Sequence, residues 1–135
     1  MKKSTKIFLL KSFALLVFSI GTSMNAQTFV KHYDHVLKKD RINNEIGKLE
    51  EINLKVIFSG NDKGDIVFYF DSSETAERYY KTGTIKEGVS KDGLKYRYIT
   101  TNSEDGNKVI MQLFDNGIFR VHSQDYTMEY QEQSN

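Results

Sequence analysis

The chain has 135 residues, 19 Lys and Arg against 18 Asp and Glu, no Cys and no Pro. That length suits one domain and leaves little room for a second. The mixed, near-even balance of charge argues against a nucleic-acid partner, which requires a clustered basic surface, and the lack of Cys excludes disulfides, thiolate catalysis and lipid attachment through an N-terminal Cys.

Residues 1–26 read as a secretory signal peptide. Lys2, Lys3 and Lys6 give a basic start, residues 13–20 are apolar, and Asn25-Ala26-Gln27 marks a cut expected after Ala26. Lys11 and Ser12 interrupt the apolar run, which leaves it short of the roughly 20 residues that cross a hydrocarbon core. Residues 27–135 are then expected to be a single soluble β-rich domain without membrane insertion. The four departing lysines leave 15 basic against 18 acidic residues, a net charge of −3. Fourteen of the 17 aromatic residues lie beyond residue 26, so burial of aromatic area is expected to stand in for disulfides.

Along the chain the dominant period is two, the signature of half-buried strands. Residues 29–37 suit a leading strand, although Val30, Tyr33 and Leu37 also fit a short helix; the β neighbours favour the strand. In 51–58, Ile52, Leu54, Val56 and Phe58 share one face. Residues 60–64 read as a hairpin loop, and 65–70, apolar on both faces, as a central strand. Residues 72–80 allow either a short helix capped by Asp71 and Glu74 or a strand ending in Tyr79-Tyr80, and the strand is favoured. Further alternation runs through 94–101, 108–114, 118–123 and 126–130. Asp92-Gly93, Asp105-Gly106 and Asn116-Gly117 mark turns, the last expected to be a type I′ hairpin. The expected fold is all-β: an antiparallel meander of about seven or eight strands, curled into a small barrel or a strongly twisted sheet.

Chemistry is sparse. The three histidines, His32, His35 and His122, could together hold Zn²⁺ and leave an open position for water. On a regular strand His32 and His35 face opposite ways, so that site needs the helical alternative, and exposed polar surface is the simpler reading. No Gly-x-Ser-x-Gly elbow surrounds a serine. The acid pairs Glu50-Glu51, Glu104-Asp105 and Asp71/Glu74, and the loop acids Asp62, Asp65, Asp105 and Asp115, fit turn chemistry better than glycoside hydrolysis or Ca²⁺ binding. No metal, no cofactor and no catalysis are expected. Tyr96 and Tyr98 share one strand face, and Tyr126 and Tyr130 share another. If the sheet closes, these four are the candidates to line a cup for a small ligand; core and edge packing is the alternative.

The segments Gly64-Asp65-Ile66-Val67-Phe68-Tyr69, Gly88-Val89-Ser90-Lys91-Asp92-Gly93-Leu94-Lys95-Tyr96 and Gln112-Leu113-Phe114-Asp115-Asn116-Gly117 resemble small exported β-proteins of Bacteroidetes-type bacteria. The leader ending Asn25-Ala26-Gln27 is similar to leaders of that group. The resemblance implies an antiparallel β fold in a Gram-negative periplasm or exterior, and carries no catalytic residues. Three functions are expected, in this order: a non-catalytic binding module for an unidentified small molecule, a structural or interaction protein with an envelope partner, and a small metal-dependent hydrolase using His32, His35 and His122.

Overall fold

The structure is a computed structural model that describes residues 28–59, 64–71 and 75–132. The leader (1–26) and most of the 60–64 loop lie outside the described residues. Ten strands follow one another and no helix occurs among the described residues: β1 (Phe29–Asp40), β2 (Glu45–Ile46), β3 (Glu50–Phe58), β4 (Asp65–Phe70), β5 (Ala76–Lys81), β6 (Lys86–Val89), β7 (Lys95–Ser103), β8 (Lys108–Phe114), β9 (Phe119–His122) and β10 (Tyr126–Gln131). Of the two ambiguous stretches, 29–37 lies within β1 and 76–80 within β5, while residues 72–74, with the capping candidate Glu74, lie outside the described residues.

Pairing is antiparallel throughout and closes on itself. The path β1, β3, β4, β5, β7, β8, β9, β10 returns to β1, which makes an eight-stranded barrel. Closure rests on the length of β1. Its first half pairs β3 from Phe29↔Phe58, and its second half pairs β10 from His35↔Gln131 to Asp40↔Tyr126. Between Tyr33 and His35 the register against β3 shifts, so that three steps along β3 match two along β1. Such an irregularity adds local twist, which lets one strand serve both partners. Two short strands lie outside this circuit. β2 adds to the end of β1, and β6 continues the line of β5 along β7, from Lys81↔Thr101 to Lys86↔Tyr98.

An eight-stranded barrel is just wide enough for side chains to fill it. Here Leu54, Val56, Phe68, Phe119 and Thr101 are enclosed. Phe119 sits at the centre of the aromatic packing, with ring centroids 5.3 Å from Phe58, 5.6 Å from Tyr33, 5.9 Å from Phe68 and 6.0 Å from Tyr130. The Thr101 hydroxyl donates to the Val109 carbonyl at 2.9 Å, which satisfies it inside the core. The Tyr33 hydroxyl is the buried side-chain polar atom left without a partner among the described residues, and burial pushes its phenol well above the ordinary value.

The β6–β7, β7–β8 and β8–β9 hairpins share one turn. At 90–94, 103–107 and 114–118 the first N–H donates to the fifth carbonyl, and the glycine N–H donates back to the first carbonyl. At the third, Gly117 has φ of 95° while Asn116 is not in the left-handed region. This is a type I turn followed by a glycine bulge, not the type I′ turn expected from Asn-Gly. The single bulge residue takes the positive φ, so Asn116 is free to accept from the Ile118 N–H with its side chain at 3.1 Å.

A candidate binding face on the outer wall

Alternation along the barrel strands decides where each tyrosine goes. Tyr130 pairs with Phe119 across β9 and β10 and is buried in the core. Tyr126, two residues earlier than Met128 on the same side of β10, lies at the rim, with the Lys38 ammonium 4.2 Å above its ring. Tyr96 and Tyr98 lie opposite Phe114 and Gln112, on the outer wall, because Ile99 of β7 and Met111 of β8 are the pair that faces inward. The four tyrosines thus do not line one cup. The interior is filled by Phe68, Phe119 and their neighbours, which leaves only the wall and the rim for the others.

The outer wall of β7 and β8 carries its own small cluster. Phe114 points outward yet is only 5% exposed. The Tyr96 ring lies 5.1 Å from it and the Arg120 guanidinium 4.8 Å. Tyr96 in turn covers Gly88, its cross-strand partner on β6. A Cβ at Gly88 would fall 2.6 Å from Tyr96 ring atoms, so only glycine leaves room for that ring. Tyr98 stands next to Tyr96, with centroids 5.9 Å apart.

A polar strip continues from this cluster across β8, β9, β10 and β1. Glu129 is 6% exposed. Its Oε1 accepts from Arg120 Nε at 2.9 Å and Lys39 Nζ at 3.3 Å, and its Oε2 accepts from Gln131 Nε2 at 2.7 Å. Burial by itself pushes the carboxyl up, but the bonds from Arg120, Gln131 and Lys39 together outweigh it and hold the group below its ordinary value. His122 is bonded at both nitrogens, Nδ1 to Thr127 Oγ1 at 2.8 Å and Nε2 to Gln112 Oε1. An amide oxygen only accepts, so Nε2 carries the proton. Arg41 Nη1 donates to Thr127 Oγ1 at 2.7 Å, and the Thr127 hydroxyl proton is free to turn toward Nδ1. The network accommodates a neutral imidazole with its proton on Nε2. Burial, followed by the charges of Arg41, Arg120 and Lys39, lowers its pKa from the ordinary value.

Arg41 also clamps the turn between β9 and β10. Its Nη2 donates to the carbonyls of Ser123 and of Gln124, the latter at 2.8 Å, and its backbone N–H donates to the Asp125 carbonyl at 2.9 Å. Beside this clamp an open cleft of about 580 Å³ runs along the outer wall, with Arg41, Lys108, Ile110, His122, Gln124 and Tyr126 among its walls. A second open depression, of about 500 Å³, lies against β2 and the end of β1.

The three histidines are not brought together. The register shift in β1 puts His32, opposite Lys55, and His35, opposite Glu51, on the same outer face, which corrects the expectation that a strand must split them. His35 bonds Asp34 at 2.8 Å and pairs with Gln131, whereas His122 pairs with Thr127, four residues away along β10. Among the described residues no three His, Asp or Glu converge on a common point.

Neither a family model, nor a curated protein, nor a solved structure matches this chain.

Proposed function

We propose that this chain is an exported, soluble, non-catalytic binding module that meets a small polar ligand on the outer wall between β7 and β10. One observation carries the reading: Tyr96 and Tyr98 stand half-buried on the outside of the barrel, beside a strip of fixed polar groups that opens into the cleft under Arg41. Tyrosine offers apolar area and a polar tip with little conformational entropy to lose, which suits a recognition surface. The non-catalytic part is supported by His122, whose two nitrogens are both engaged by Thr127 and Gln112 and so are not available to a substrate proton. Export rests on the leader pattern of residues 1–26, and a Gram-negative periplasm or exterior on the resemblance described above.

The test is native mass spectrometry of the protein recovered from its own periplasm or medium. A co-purifying small mass that Tyr98→Ser loses, with the melting temperature of the variant within a few degrees of the parent, supports the reading. A bare monomer counts against it.

A second reading, an interaction protein of the envelope, has its own observation. Among the described residues β6 pairs with β7 on one side only, and Ile85 and Val89, at the two ends of β6, are 46% and 62% exposed. An unpaired edge of that kind accepts a strand from a partner. A second protein chain in the same spectrum selects this alternative.

A further inference from the structure

We infer that the outer-wall cleft beside the β9–β10 turn binds the oxyanion group, carboxylate or phosphate, of a small organic anion. This rests on the binding-module reading and narrows its ligand.

The charge around the cleft runs against the charge of the chain. Residues 27–135 carry 15 basic and 18 acidic side chains. Yet the cleft and its borders bring together Lys39 of β1, Arg41 just beyond it, Lys108 of β8 and Arg120 of β9. Three acids stand against them: Asp125, exposed in the turn at the cleft itself, Asp40, cross-strand from Tyr126, and Glu129, engaged by Arg120, Lys39 and Gln131. Four cations against three carboxylates still leave a local positive excess, with Arg41 and Lys108 the cations at the cleft that Glu129 does not engage, and such a potential concentrates anions.

The donors are also held in place before any ligand arrives. Three of the five guanidinium N–H groups of Arg41 are committed to Thr127, Ser123 and Gln124, so the plane of the guanidinium is fixed and its remaining donors have a set direction. Each fork face of a guanidinium uses an Nη2 hydrogen, and both of these are taken, so the remaining Nε–H and Nη1–H each offer a single charge-assisted bond to an oxyanion. Lys108 supplies a point charge across the cleft, and the Gln124 side chain and Tyr126 add neutral polar groups. The volume, about 580 Å³, is on the scale of a small-molecule site. His122 forms part of the wall as a neutral group, so it adds no cost of burying another cation when the cleft is empty.

The experiment is a nitrogen-15 amide NMR titration of the exported protein with sodium glucuronate, glucose 6-phosphate and methyl glucoside, at sodium chloride concentrations matched for ionic strength. Glucuronate, glucose 6-phosphate or both should shift the amides of Arg41, Lys108, His122 and Gln124 saturably, while methyl glucoside leaves them in place. Whichever acid binds more tightly identifies the oxyanion. Lys108→Gln, an exposed site whose loss does not threaten the fold, should weaken that binding about tenfold, the order of one charge-assisted hydrogen bond. Methyl glucoside binding as tightly as glucuronate would overturn the anion assignment and leave the binding-module reading standing. Shifts equally strong at basic residues all over the barrel, or Lys108→Gln without effect, would also overturn it. No saturable shift from any of the three probes would overturn it too, and if the native spectrum also shows a bare monomer, the broader reading falls with it.

Discussion

At the scale of single residues, the outer wall between β8 and β1 holds two ionisable groups whose protonation is tied to the fold. His122 is neutral in the folded protein, held below its ordinary value of 6.5 by burial and by Arg41, Arg120 and Lys39. As the pH falls through 6.5, the unfolded chain takes the proton first. The contribution of this group is therefore complete above 6.5 and is lost progressively below it, until the folded imidazole titrates as well. Glu129, also lowered, acts in the same direction at more acid pH: its contribution is complete above its unfolded value of 4.5 and fades below that. The urea midpoint should fall between pH 7.5 and pH 5.5, and His122→Gln should flatten that interval. A midpoint that does not move in the parent protein would show that His122 is not held neutral. The residues of this network were only partly legible beforehand. Tyr96 and Tyr98 were visible as co-facial from their spacing, but Arg41, Gln112, Arg120, Thr127 and Glu129 look like ordinary polar positions in a chain of alternating strands. They become a network only when the β9–β10 pairing sets His122 opposite Thr127 and Arg120 opposite Glu129, and β10 in turn pairs with β1.

At the scale of elements, strand positions followed the period-two pattern closely. The alternation in 51–58 became β3, and the doubly apolar 65–70 became β4, with Ile66, Val67 and Phe68 all buried. Two features of the elements were not visible. The direction of β7 is inverted relative to a simple hydrophobicity reading: Leu94, Tyr96 and Tyr98 resemble the buried face, but Ile99 and Thr101 are the buried residues and Arg97 takes the inward parity at the rim. The tyrosines tolerate the outer wall because β6 lays Gly88 beneath Tyr96 and β8 supplies Phe114 beside it. That arrangement makes a prediction. Gly88→Ala places a methyl where the Tyr96 ring now lies, so the ring must move off Phe114, at a cost of about 1–3 kcal/mol from overpacking. In a Tyr96→Ala background the same substitution should cost markedly less, since the two sites are in contact. Equal costs in both backgrounds, measured by urea denaturation, would show that Tyr96 does not rest on Gly88. The other hidden feature is the register shift in β1, which puts His32 and His35 on one face. Irregular register depends on how β1 divides its pairing between β3 and β10, and no local pattern records that division.

At the scale of the whole molecule, stability rests on one aromatic core without covalent staples, since the chain has no Cys. Phe119 touches four other aromatic rings at its centre. Phe119→Ala should cost about 3–5 kcal/mol, the usual range for emptying such a site. For a domain whose total stability is of order 5–15 kcal/mol, that is a large share. A loss below about 1 kcal/mol in denaturant melts would mean the barrel centre repacks freely. The amino-acid order by itself determined that the chain is β-rich, where its strands and turns fall, and that it must hold together without disulfides. These are local properties: alternation, glycine after Asn or Asp, and the absence of a residue type. Only the tertiary structure decided which face of each strand turns inward, that the sheet closes, and that Lys39 meets Glu129 and Arg41 meets Thr127 across 90 and 86 residues of chain. Period-two alternation shows that a strand has two unlike faces, but a face becomes inside or outside only when distant strands pair. In this protein the pairing of β1 with both β3 and β10 makes that choice, and with it places the tyrosines and the cationic cleft on the wall rather than in the core.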